Sequence, residues 1–267
     1  MTKEQKEILE EIRTNDQHPE RGEIELVRNR LGVVYFARII PNYWERWYEN
    51  GQLRECSALK GGIFDGLYQR WLPNGQLQSR MFYKEGRLDG LRESWNEEGI
   101  LEYTENYKEG KLNGLCEEWY ENGQLYSQIN FKDGREHGPY ETRYPSGALW
   151  TRGNCRNGEQ DGIVEEWYEN GWLHQKKNYK DGKLHGLSKS WSEEGALERQ
   201  ENYRNGRKDG LCEVLDHDSG MIEQTVYKDG VRQSEKLVDH FSDLSVQVLI
   251  KNITIAPKSK SKNGIKR

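Results

Sequence analysis

The sequence predicts an all-β protein: tandem β-hairpin repeats forming one elongated, twisted antiparallel sheet, with short helical or strand caps at both ends. Three observations carry that prediction. Glycine recurs every 24 residues in three separate series. The apolar and aromatic residues between those glycines are spaced by even numbers. Finally, 33% of the 267 residues are hydrophobic and 32% charged, too polar for a thick core, yet 9 Trp, 15 Tyr and 5 Phe are too many aromatics for a disordered chain. A thin layer with much solvent-facing surface fits all three.

The repeat sets the architecture before any local propensity does. One glycine series runs Gly66, Gly90, Gly114, Gly138, Gly162, Gly186, Gly210. A second runs from Gly51 through Gly75, Gly99, Gly123, Gly147, Gly171 and Gly195, slipping by one at Gly220. The third runs from Gly86 to Gly230. An aliphatic slot holds Leu67, Leu91, Leu115, Ile163, Leu187 and Leu211, with Pro139 the exception. Four residues on stand Trp71, Trp95, Trp119, Trp167 and Trp191, with Arg143 and Leu215 departing. A leucine slot (Leu53, Leu77, Leu101, Leu125, Leu149, Leu173, Leu197) follows the turn. Six residues later come Tyr83, Tyr107, Phe131, Cys155, Tyr179, Tyr203 and Tyr227. Even offsets keep side chains on one face of a strand, whereas offsets of four and six cannot both stay on one face of a helix. Each unit is therefore read as two strands, such as 115–120 and 125–131, giving about 16 strands in a meander. The Leu, Trp and Tyr ladders are expected on one face, and charged and amide side chains on the other.

Turn chemistry agrees with hairpins. Asn50-Gly51, Asn74-Gly75, Asn122-Gly123 and Asn170-Gly171 read as two-residue type I′ connections, with Glu98-Gly99 and Glu194-Gly195 as weaker versions. The segment Asp181-Gly182-Lys183-Leu184-His185-Gly186 reads as a longer return turn. The fifth repeat fits worst. Pro139, Arg143 and Cys155 break its slots and Trp150 appears on the other parity, which implies either a local bend or a specialised contact.

Four segments follow. Residues 1–42 form an N-terminal capping segment, with a helix over 1–15 striped by Ile8, Leu9 and Ile12 and a strand near Leu31 to Phe36. About eight repeats occupy 43–234. A C-terminal cap spans 235–256, with a short helix through Val238, Phe241 and Leu244 and a closing strand from Leu244 to Ile255. The tail 257–267, with Lys258, Lys260, Lys262, Lys266 and Arg267, reads as basic and disordered.

Function classes narrow by exclusion. No apolar leader and no run of about 20 apolar residues is present, so an intracellular, cytoplasmic location is expected. Cys56, Cys116, Cys155 and Cys212 are scattered, which argues for free thiols and against a metal site or a disulfide framework. A net charge of −5 gives no reason to expect nucleic acid. No cofactor motif and no catalytic motif occurs. His137 and His185 occupy a turn slot otherwise held by Asp65, Asp89, Asn113, Asp161 and Asp209. Glu93, Glu117, Glu141, Glu165 and Glu213 recur by slot, as a scaffold would produce, and offer no pair in contrasting environments. Asn106, Asn130, Asn154, Asn178 and Asn202 form a row that serves either as an amide ladder supporting the return turn or as a surface a partner's backbone reads.

The unit from Gly114-Leu115-Cys116-Glu117-Glu118-Trp119 through Asn122-Gly123-Gln124-Leu125 to Phe131-Lys132-Asp133-Gly134 resembles the MORN repeat variant, the family that includes YwqK-type antitoxins. The resemblance covers roughly residues 43–234. It implies a non-enzymatic protein-binding scaffold, with toxin neutralisation as its most specific form. Related arrays in large DNA viruses imply a structural or host-interaction role instead, and other MORN proteins imply lipid-surface contact. The candidate partner-binding residues are Trp71, Trp95, Trp119, Trp167, Trp191 and Trp150, which either stand in a groove or pack on one another. Glu118, Glu121, Glu166 and Glu169 form an acidic strip suited to a basic partner, or simply a solvated edge. Nothing in the sequence fixes the oligomeric state, and a membrane partner has no support beyond the resemblance.

Overall fold

The computed structural model describes residues 25–28, 34–40, 42–217 and 219–239, together with helical backbone at Lys6, Glu7 and Glu10. The N-terminal stripe Ile8, Leu9 and Ile12, the positions Phe241 and Leu244, the expected closing strand and the basic tail lie outside the described residues. Val238 belongs to the strand Val231–Asp239 rather than to a helix.

Two compact units divide the chain, Met1–Gly147 and Ala148–Arg267. Within each, consecutive strands pair antiparallel in hairpin order. In the first, Val34–Ile40 pairs with Glu25–Arg28 and with Tyr43–Trp47. The meander then runs through Leu53–Lys60, Ile63–Trp71, Leu77–Lys84, Arg87–Trp95, Leu101–Lys108, Gly114–Trp119, Leu125–Lys132 and Arg135–Arg143. In the second it runs from Leu149–Arg156 through Gly162–Trp167, Leu173–Lys180, Gly186–Trp191, Leu197–Arg204, Gly210–Asp216 and Met221–Lys228 to Val231–Asp239. The all-β hairpin prediction holds.

Two turn types alternate, and they are the reverse of the expected pair. At the Asn-Gly sites, Tyr120 donates its N–H to the Gln124 carbonyl at 2.9 Å and accepts from the Gly123 N–H at 2.8 Å. Three residues, Glu121-Asn122-Gly123, therefore form the loop, and only the glycine has positive φ, at +79°. That is a type I turn followed by a glycine bulge. The two-residue turns with positive φ at both positions lie at the return: Lys132 pairs with Arg135 across Asp133 (+51°) and Gly134 (+82°). Asparagine is placed by its side chain, not by its φ. Asn122 Oδ1 accepts from the Gln124 N–H at 2.9 Å, while its Nδ2 donates to the Pro145 carbonyl of the next turn at 2.9 Å.

The faces also differ from expectation. Leu91 pairs directly with Asn106, and Leu115 with Asn130, so the aliphatic slot shares a face with the asparagine row. Tyr107 and Phe131, one residue further on, point to the opposite face. At the turn, Trp119 pairs with Leu125 while Glu118 pairs with Ser127, an irregularity that brings Leu125 to the tryptophan face. The Leu and Trp ladders therefore lie together and the Tyr ladder lies behind them. Offsets within one strand fix its own alternation; they do not survive a bulge, and they say nothing about which face the neighbouring strand presents.

The tyrosine face is the more buried. It holds Cys116, Cys155, Cys212, Val164, Ser57, Ser127 and Thr225, all buried, and all four cysteines are free. Small side chains fill this layer. On the tryptophan face Leu67, Ile163, Leu187 and Leu211 are 36%, 52%, 41% and 39% exposed.

Candidate functional site

The tryptophan face is built in rows across the strands of each unit. In the first unit Trp71, Trp95 and Trp119 are half-buried and Trp47 is buried. In the second, Trp167 and Trp191 are half-buried. The backbone under this row is tied from one repeat to the next. Tyr48 Oη donates to the Trp71 carbonyl at 2.8 Å and Tyr168 Oη to the Trp191 carbonyl at 2.9 Å. Arg143 keeps the same tie, its carbonyl accepting from Tyr120 Oη at 2.7 Å. Replacing the ring there changes the surface without breaking the backbone link. The Arg80 guanidinium lies 5.6 Å from the Trp95 ring centre and that of Arg152 5.3 Å from Trp167, so cations cover part of the row.

Between the aliphatic and tryptophan rows runs a polar row, in which Glu93, Glu117, Glu165 and Glu213 meet a cation or amide from an adjacent strand and Glu141 meets Arg143 of its own strand at 2.9 Å. Glu93, buried, takes a bidentate contact from Arg80. Glu117 accepts from Gln128 Nε2 at 2.6 Å, and Glu213 from Gln224 at 2.8 Å and Gln200 at 3.2 Å. Glu165 takes Arg152 and Lys176, each at 2.8 Å. Burial opposes its charge, but those two cations outweigh burial and hold the carboxyl below its ordinary range. Alternation of this kind is structural.

The asparagine row supports the return turn. Asn106 Nδ2 donates to the Leu115 carbonyl at 2.6 Å, Asn130 to Pro139 at 2.8 Å and Asn202 to Leu211 at 2.8 Å. Each bond closes a gap in the ladder where three residues of one strand face one of the next. The turn-slot carboxylates likewise accept from a backbone N–H twenty residues on: Asp89 from Glu109 at 3.1 Å and Asp209 from Asp229 at 3.0 Å. His185 holds the same place, its Nδ1 3.2 Å from Asn205 Oδ1. Among the described residues no group of three His, Cys, Asp or Glu is placed to hold a metal ion. No helix among them is long and apolar enough to cross a membrane.

The MORN repeat variant model matches residues 42–57, 64–85, 88–109, 112–133, 160–181 and 184–205. The chain belongs to the MORN repeat variant family. The matched MORN stretches skip residues 134–159, where Pro139, Arg143 and Cys155 interrupt the slots. No curated protein matches the chain.

Three features of these MORN repeats depart from the sequence reading. Trp150 is 42% exposed and, in the slot of Tyr126 and His174, shares its parity with Arg152, which pairs with Glu165 on the tryptophan face, whereas the even count sets it opposite the ladders. Trp172 is 40% exposed and was missed; it takes the position held by Gln52, Gln76 and Gln124, and that break in a slot was the available signal. A Cβ on Gly195 would come within 2.8 Å of the Trp172 ring, so the next turn packs flush against it. On the tyrosine face of the first unit, Trp44, Phe64, Tyr68 and Tyr83 form a cluster with ring centres 5.4–6.4 Å apart. A hollow of about 430 Å³ opens over it, bordered by Arg70 and Arg92. Tyr68 Oη donates to Glu55 at 2.6 Å. Burial, then that bond and the Glu55 charge, push the phenol far above its ordinary range. As for the acidic strip, Glu121 and Glu169 are exposed turn residues, while Glu118 accepts from Ser127 at 3.4 Å and Glu166 lies 3.8 Å from Lys177.

Proposed function

We propose that this chain is a non-enzymatic, protein-binding MORN scaffold that engages its partner through the tryptophan face, toxin neutralisation being the finer role that the family resemblance implies. MORN repeats are generally non-catalytic binding repeats. One observation carries the proposal furthest: Leu67, Ile163, Leu187 and Leu211 remain 36–52% exposed beside half-buried tryptophans. Apolar surface exposed on that face within a unit costs free energy in water, and binding recovers it. Aromatic anchors edged by arginine are the composition that concentrates binding energy at interfaces.

The test is a double substitution, Trp95→Ala with Trp119→Ala, in the full chain. A partner co-purified and identified with the unaltered protein should lose about 2 kcal/mol or more of affinity, with the β-sheet circular dichroism retained. Unchanged affinity in the folded variant removes the tryptophan row as the site.

A further inference from the structure

The glutamate slot of the polar row has one inversion. Glu93, Glu117, Glu141, Glu165 and Glu213 are joined in the same register by Lys189. At the neighbouring position across the ladder, Arg80 pairs with Glu93, Arg152 with Glu165, Gln128 with Glu141 and Gln200 with Glu213. Here Lys176 pairs with Lys189. Two like charges directly opposite on adjacent strands destabilise the sheet. The nearby Glu165 does not offset the pair, because Arg152 shares it with Lys176. No carboxylate lies within ion-pair distance of Lys189 among the described residues. The surroundings add to the excess: residues 173–191 carry five lysines against one aspartate in a chain of net charge −5.

An apolar hollow opens at the same place. Ile163, Leu173, Leu187 and Trp191 line about 450 Å³ together with Lys176 and Lys189. Along the strand Gly186–Trp191, residues Leu187, Lys189 and Trp191 alternate apolar, basic, apolar on one face, about 6.6 Å apart at each step. A bare inorganic anion would satisfy the lysines and leave the apolar walls in water. An extended chain with an acid flanked two residues away on each side by apolar residues matches both charge and spacing.

We propose that Lys176 and Lys189 form a clamp for a carboxylate on an extended apolar-x-acidic-x-apolar segment of a partner protein, whose apolar side chains seat against Ile163, Leu187, Leu173 and Trp191. This deepens the scaffold proposal, rests on it, and assigns an acidic rather than a basic partner segment to the second unit.

A random twelve-residue peptide library displayed on phage and selected on the full-length chain tests it. Peptides with Asp or Glu flanked at two-residue spacing by apolar residues should be enriched at least tenfold. Lys189→Glu should abolish that enrichment. This variant restores the charge the other repeats carry, so it should fold and melt at a higher temperature than the unaltered chain. Selection without acidic preference, or equal enrichment on Lys189→Glu, overturns the clamp. So does Lys189-dependent binding to phosphatidylserine vesicles with no acidic peptide selected. If Lys189→Glu leaves a tryptophan-dependent partner bound, the clamp fails and the scaffold stands; if neither variant alters partner affinity, the scaffold proposal fails with it.

Discussion

Tyr203 and Glu201 on the tyrosine face form a titrating pair. The phenol donates to the buried carboxylate at 3.0 Å, and Lys208 and Arg199 reach the same group at 2.8 and 3.3 Å. Burial first, then the Glu201 charge and hydrogen bond, push Tyr203 up to about 12 from an ordinary 10.0. The folded state thus holds its proton above the pH at which the unfolded chain releases it. The resulting stability is fully present below pH 10 and is lost as pH rises toward about 12. Tyrosinate absorbance of the unaltered chain minus that of Tyr203→Phe should show a transition near the upper value; one near 10 would mean the pair does not form. At Asn202 the bond to the Leu211 carbonyl is lost in Asn202→Ala, and urea unfolding should register about 1 kcal/mol.

For the hairpin as an element, the ladder gap decides which glycine is indispensable. Gly114 has φ +114°, and a Cβ there would lie 3.2 Å from Asn106 Cβ. Gly114→Ala should cost about 2 kcal/mol, through strain and displacement of the Asn106 amide together. Gly123, with nothing within 4 Å of a built Cβ and φ +79°, bears only the backbone strain, and Gly123→Asn should cost less than about 1 kcal/mol. Equal losses in thermal melts of the two variants would refute the role given to the gap. Both glycine series were legible in the sequence, since 24-residue recurrence needs no coordinates. Turn type was not. Asn-Gly satisfies a type I′ turn and a type I turn with a bulge alike, and the choice depends on where the Asn122 side chain finds its partner, in the next repeat.

For the molecule as a whole, each unit is layered so thinly that adjacent residues have opposite fates. Ile163 is 52% exposed, whereas Val164 is 3% exposed among the small side chains of the tyrosine face. Val164→Ala should lower stability by about 2 kcal/mol, and Ile163→Ser should change it by less than about 0.5 kcal/mol, both read from urea midpoints. Reversed sensitivities would mean that the buried layer has been placed on the wrong face.

The repeat length, the strand alternation and the family were all determined by the sequence, because periodicity is a property of one chain read along itself. The ladder positions of Trp71, Trp95, Trp119, Trp167 and Trp191 were legible for the same reason, as was the turn slot of His185. What only the tertiary structure decided is which ladders share a face. A single bulge at Tyr126, where Ser127 pairs with Glu118 but Leu125 with Trp119, breaks the even count, and pairing register is a relation between strands that no spacing within one strand contains. The Lys176–Lys189 inversion has the same origin: both lysines are plain in the sequence, but their meaning comes from being placed opposite one another across a ladder.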